Sequence, residues 1–500
     1  MTPVGRFPDV STSRAPAPEP RDDDDDARPG EPIQDPLLRA LPAGADVEPA
    51  ERDLRKTESN REAATGGPPA ARMSLDEARQ RGPLGWLQVL GPGLITGASD
   101  DDPSGIGTYS QVGSQFGYSL LWMSIFTFPL MAAVQELCAR IALHTGVGLG
   151  TALRRRFPAW LVGVCIVALF IANTINTGAD LGAVAAGISM LTRNAIAEIW
   201  LVVPVGVLIV ALQLFATYAV IFRIFKWLTV ALFAYVVTGV IVHPDLRQVL
   251  VASVLPHIEL SKDYIAAVVA VLGTTISPYL FFWQASSEVD EMRAAGKTTE
   301  AKRRGVQRSE LKAARADILI GMFFSNLVMY FIIFTTAAVL HAHGKTGVQT
   351  ADQAAQALAP LAGQWSFVLF GLGMIGTGLL AIPILTASAA YAVREFLGVK
   401  GALADKPAYR PTFYAVMVLA TIGGIAINLI GINPIRALFV TAVINGIVAP
   451  PLLVLIVLLG SSASVMGERT SGTVSKALTW VAAAAMGIAA IALLVTLVIP

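Results

Sequence analysis

The run TGASDDDPSGIGTY, Thr96 to Tyr109, sets Asp100, Asp101 and Asp102 in succession inside an apolar stretch. That stretch begins near Trp86 and continues past Tyr118 into LLWMSIFTFPLMAAV. One charge at the centre of a membrane helix costs about 2.5–3.5 kcal/mol on insertion scales. Three uncompensated charges would cancel most of what such a helix gains by inserting. Yet the rest of the chain is membrane material. Of its 500 residues 54% are hydrophobic and 15% charged, against about a quarter charged in soluble domains. Runs such as AAAAMGIAAIALLVTLVIP at the C-terminal end exceed the roughly 18 residues that mark a spanning helix. The aspartates must therefore be compensated in place.

Working outward, residues 1–84 differ in kind. APAPEPRDDDDDARPGEPIQDP and ATGGPPAARMSLDEARQRGP are rich in Pro, Gly, Asp and Arg and lack the apolar surface that offsets ordering entropy. A disordered tail is expected there, with no signal peptide, and Asp22–Asp26 read as a solvated acidic linker. Residues 85–500 form the membrane domain. Eleven spans are expected near 86–115 (interrupted), 118–143, 159–190, 196–216, 222–243, 264–286, 317–341, 363–393, 411–431, 434–459 and 477–499. Arginine and lysine in the connecting loops are strongly biased, 19 on the side of the N-terminus and 5 on the other. By the positive-inside rule the N-terminus is cytoplasmic and the C-terminus external, in a plasma or inner membrane. A net charge of +1 says nothing about partners, and two cysteines in apolar helices, Cys138 and Cys165, give no disulfide framework and no zinc spacing; no nucleic-acid partner is expected. Partners are the lipid bilayer and a transported ion; a monomer suffices.

Span one cannot be continuous. Pro103 removes an amide donor and disfavours a helical Asp102, and Gly97, Gly105 and Gly107 weaken it further. Span six repeats the defect in VVAVLGTTISPYLFFWQASSEVDEM, through Gly273, Thr274, Thr275, Ser277 and Pro278. Breaks in spans one and six fit an inverted repeat of five plus five, about 85–243 and 264–459, followed by an extra helix. Discontinuous helices in matching positions point to a midplane binding site. Unwound backbone at that depth must line a cavity, and its carbonyls suit a cation. The two breaks are thus expected to face one another around a small, oxygen-bound cation, which compensates the aspartates.

These motifs resemble the Nramp family of divalent metal transporters over about Leu84–Leu459. The likeness is carried by GPGLITGASDDDPSGIGTYSQVGSQFGYSLLW, where the family has Asp-Pro-Gly-Asn, and by GTTISPYLFFWQ, where it has Met-Pro-His. The resemblance implies an all-α, LeuT-like fold, a divalent cargo, no cofactor and no enzymatic activity. It implies metal ligation by Asp102 and by carbonyls of Ser99 and Thr274. It also shows departures: the family's Asn falls on Gly105, its Met on Ser277 and its His on Tyr279. Its acidic pair in span three falls on Asp180 and Ala183. This pattern is closer to the divergent Nramp-related magnesium transporters. Replacing a thioether by serine leaves hard oxygen donors, and the smaller side chains leave room for a partly hydrated Mg²⁺; Mn²⁺ is also expected to bind.

Asp100 and Asp101 are expected to add charge beside Asp102, and Ser277 and Thr274 to ligate or hold water. Tyr279, Asp180 and Asn445 are candidate pathway residues, because polar side chains inside spans default to function or helix pairing. Glu136 and Arg140, spaced i, i+4, read as a structural pair, and His341 and His343 as incidental loop residues. Glu288, Asp290 and Glu291 read as a solvated helix end. Rival readings are a proton-coupled Mn²⁺ or Fe²⁺ importer, an amino-acid carrier, whose substrate carboxylate the aspartates would repel, and a membrane hydrolase, which needs more convergent ligands.

Overall fold

The computed structural model describes residues 91–215, 230–348, 350–403, 405, 407–467 and 470–498. The expected tail, with Asp22–Asp26, lies outside the described residues, as do the start of span one and residues 222–229 of span five. Among the described residues nine helices are long and apolar enough to cross a membrane. Span one is present as two shorter halves and span five as a partial helix.

Spans one and six are interrupted where proline demands it. Span one comprises α1 (Pro92–Asp100) and α2 (Pro103–Phe116). Between them Asp101 (φ −83°, ψ 47°) leaves the helix, and Asp102 (φ −70°, ψ 168°) is extended. Spans two to five are α3 (Trp122–Thr145), α4 (Ala159–Leu191), α5 (Glu198–Phe215) and the described part of span five, α6 (Phe233–Ile241). Span six comprises α7 (Lys262–Thr275) and α8 (Pro278–Ala294), joined by Ile276 and an extended Ser277 (φ −73°, ψ 130°). In both breaks a proline opens the second half-helix at its first position, where a missing N–H costs nothing. There follow α9 (Arg308–Val339), α10 (Ser366–Leu397), α11 (Pro411–Leu429), α12 (Pro434–Ser461) and α13 (Thr473–Val498).

The broken helices are the interior of the bundle. Most residues of α2 and α8 are buried, whereas α5, α11 and α13 expose large apolar residues outward, Trp200, Leu419 and Ile488 among them. Close approach of backbones fixes the half-helices. A Cβ on Gly93 would come 2.6 Å from the Ile318 nitrogen of α9, and one on Gly97 would come 2.7 Å from the Gly321 Cα. The α9 carboxylate of Asp317, fully buried, closes the same seam. It accepts from the amides of Gly91 (2.9 Å), Gly93 (2.7 Å) and Leu94 (3.0 Å), satisfying the unpaired donors at the start of α1. Thr96 reaches across to Gln284 of α8 at 2.5 Å.

Candidate metal centre

The two breaks meet. Tyr279, in the first turn of α8, donates its hydroxyl to the Ser99 carbonyl at the end of α1 (2.8 Å) and stands 3.4 Å from Asp102 Oδ2. Ser104 of α2 lies 3.5 Å from the Thr274 hydroxyl of α7. The carbonyl ends of α1 and α7, the ends that favour cations, therefore converge on one region.

Asp102 occupies its centre, 1% exposed. One carboxylate oxygen, Oδ1, is spent locally, accepting from Ser104 Oγ (2.6 Å) and the Gly105 amide (2.8 Å). That is an N-cap for α2, and it locks the side-chain rotamer. Oδ2 points away from α2, toward the Asn176 amide of α4 (3.1 Å) and Tyr279. Capping and ligation thus use different oxygens of the same group.

The other expected residues divide. Ser99 and Thr274 lie at the breaks as the family pattern implies, although the Ser99 hydroxyl turns back to the Ile95 carbonyl (2.7 Å). The Ser277 hydroxyl donates to the Gly273 and Thr274 carbonyls (2.9 and 2.8 Å), which leaves its lone pairs as the ligating capacity. Gly105 holds Asp102 through its amide. Asp180 of α4 is fully buried beside the Ser104 backbone, and neither of its carboxylate oxygens closes a hydrogen bond. Asn445 of α12 is buried with its Nδ2 unpaired, and no bond joins it to Asp102. Asp100 and Asp101 turn instead toward Ser325 of α9 (2.6 and 3.2 Å). Among the described residues no three His, Cys, Asp or Glu side chains converge on a point; the aspartate triplet is split between two neighbourhoods.

Outside the centre, Glu136 and Arg140 pair at 2.5 Å, while His341 and His343 are exposed. The end of α8 is more built than a solvated terminus. Glu288 is buried and accepts from Gln284 (2.9 Å), and Asp290 accepts from Tyr391 (2.6 Å) and Arg293 (3.1 Å). Sequence reasoning assigns no role to Asn176, Ser325, Tyr109 or Asp317. Their signal was polarity inside spans; what they touch depends on helix rotation, which periodicity leaves open.

A family profile described as Nramp, natural resistance-associated macrophage protein-like, matches residues 93–496. The chain belongs to the Nramp family. Among Nramp relatives, the divalent metal cation transporter MntH of Bacillus subtilis is 27% identical over 422 residues, 83% of this chain and 93% of the relative. The MntH of Aeromonas hydrophila is 27% identical over 402 residues, covering 78% and 91%. The Nramp architecture is also seen in the Eremococcus coleocola manganese transporter, with a TM-score of 0.61 at 17% identity, covering 81% of this chain and 86% of that one. Mhp1, a nucleobase-cation-symport-1 transporter in a closed conformation, gives 0.50 at 14% identity, covering 81% and 91%. The fold is thus the LeuT-like one, with helices one and six broken.

Proposed function

We propose that this chain carries divalent metal ions across the bilayer by alternating access, Mg²⁺ first and Mn²⁺ second, without obligatory proton coupling. The observation that carries the reading is the second carboxylate oxygen of Asp102, Oδ2, which takes no part in the helix cap and faces Asn176 and Tyr279. It is buried at the meeting of two helix breaks and surrounded by oxygen-rich groups, with Ser277 where the family has methionine. Asp102 Oδ2, the Asn176 amide oxygen, which has no partner, and water held by Ser277 and Thr274 form a hard donor set. Mg²⁺ suits such a set, because it keeps much of its hydration and takes one or two carboxylates. Asn176 would supply from α4 the amide that Gly105 lacks. The arginine-rich face is cytoplasmic in this reading, so α1 is the inner half of span one and α2 the outer.

The deciding experiment is ion flux into proteoliposomes with Mg²⁺, Mn²⁺ or Ca²⁺, recording internal pH. Mg²⁺ and Mn²⁺ should enter with little acidification; absence of flux for both would end the proposal. One observation favours a proton-coupled Mn²⁺ importer instead: Asp180 is buried with both oxygens unpaired, as a proton carrier would be. Acidification in step with Mn²⁺ entry, abolished by Asp180→Asn, would establish that alternative.

A further inference from the structure

Asp100 and Asp101 pose a charge problem that cargo at Asp102 does not solve. Four carboxylates, Asp100, Asp101, Asp102 and Asp180, are buried around the break, at most 7% exposed. The buried cations among the described residues are Arg303 and Arg394. Arg303 is bound to the Gly146, Lys297 and Thr298 carbonyls, and Arg394 to Glu395, away from the break. One divalent ion offsets two of the four charges. A carboxylate buried in charged form without a counter-charge is strongly unfavourable, so each of the remaining two must either take up a proton or meet a second cation.

The local geometry offers donors that are not yet used. Ser325 Oγ approaches both Asp100 Oδ2 (2.6 Å) and Asp101 Oδ1 (3.2 Å), but a hydroxyl carries one proton. It satisfies one carboxylate and leaves the other an oxygen–oxygen contact. Asp100 Oδ1 has no partner at all. Tyr109 of α2 is 1% exposed. Its hydroxyl closes no hydrogen bond. Convergence is visible at Gly105, where a Cβ would meet the Tyr109 ring at 3.2 Å, the Asp100 carbonyl at 3.4 Å and the Thr274 hydroxyl at 3.4 Å.

We infer that Asp100, Asp101, Ser325 and Tyr109 form a second cation position on the α9 side of the break, occupied by a hard divalent ion together with the cargo at Asp102. This deepens the proposed function and rests on its assignment of Asp102. All donors are oxygen, the set that Mg²⁺ and Mn²⁺ accept. Two ions at neighbouring positions repel, and such pairs release one another more readily than a single deeply bound ion would leave.

The test uses the full-length protein in nanodiscs with Mn²⁺ alone as the probe. Bound ions are counted by equilibrium dialysis and their mutual dipolar broadening is read by electron paramagnetic resonance. Wild type should hold two broadened Mn²⁺. Asp100→Asn with Asp101→Asn should hold one, unbroadened, and Asp102→Asn likewise one. The milder Ser325→Ala should weaken the second binding step several-fold. Broadening separates a paired site from loose Mn²⁺ on the Asp22–Asp26 tail. The inference is overturned by a single Mn²⁺ in wild type, by two without broadening, or by two in the Asp100/Asp101 variant. One Mn²⁺ with intact flux removes only the second position; no binding and no flux removes the proposed function with it.

Discussion

At the residue scale the centre depends on Asp102 dividing its two oxygens between helix and ion. Asp102→Ala should lose both Mg²⁺ and Mn²⁺ flux while the protein still inserts. The lost cap costs about 0.5–2 kcal/mol, and the buried packing of α2 remains to hold it. Flux near the wild-type rate in Asp102→Ala proteoliposomes would refute the site. A second expectation concerns selectivity. Ser277→Met with Gly105→Asn brings a soft sulfur and an amide to the break and displaces water, so Mn²⁺ should gain on Mg²⁺. A tenfold change in their affinity ratio is about 1.4 kcal/mol, within what one ligand supplies. Mn²⁺ uptake under rising Mg²⁺ reads this out, and equal inhibition of an active double variant and wild type would contradict it. Position 105 is tight, so the tyrosine at 109 must give way by a few tenths of an ångström. Asp102 was legible in the sequence because Pro103 announces the break beside it. Asn176 was not, since its reach to Asp102 depends on how α4 is rotated, and the separation of Asp100 and Asp101 from Asp102 depends on a serine more than 200 positions away.

At the scale of elements, the two breaks and the spans that the structure describes in full could be read from proline, glycine and apolar length. The seam between α1 and α9 could not, because a glycine in a membrane helix signals close packing without naming its partner. That seam yields a third expectation. Gly97→Val would drive side-chain atoms into the Gly321 backbone, and overpacking of this kind costs about 1–3 kcal/mol. The half-helix should lift from α9 and open the centre toward the arginine-rich face. Ser99, buried and with its hydroxyl bonded only within its own helix, is a suitable position for a cysteine reporter, Ser99→Cys, read with a water-soluble thiol reagent. Its labelling should accelerate several-fold in the Gly97→Val background; an unchanged rate in folded protein would show that glycine at 97 does not hold the helix.

Across the whole molecule, the halves are tied at the arginine-rich face. Glu300, between spans six and seven, bridges Arg155 after span two (2.6 Å) and Arg304 (2.8 Å). The two guanidiniums pull its carboxyl from 4.5 down to about 2. A depressed folded value means the tie contributes above the unfolded value of 4.5 and fades as pH falls toward about 2. Because the partners are partly exposed, its worth is about 0.2–1 kcal/mol. Glu300→Gln should therefore lower the melting temperature slightly at pH 7, and the difference from wild type should shrink steadily below pH 4.5. A gap that persists undiminished at pH 3 would assign the effect elsewhere.

The seam of Gly93, Gly97 and Gly321, closed by Asp317, has a thermal consequence. Parting it uncovers peptide groups and a carboxylate together with neighbouring apolar side chains such as Leu94 and Ile318. Heat capacity rises by about 0.45 cal/K/mol for each Å² of apolar surface uncovered and falls by about 0.26 for each Å² of polar surface. Glycine on the facing surfaces, with its larger polar share, therefore lowers the heat-capacity change of opening below that of a leucine-faced seam. The van't Hoff plot of opening should be correspondingly less curved than a leucine-faced seam would give.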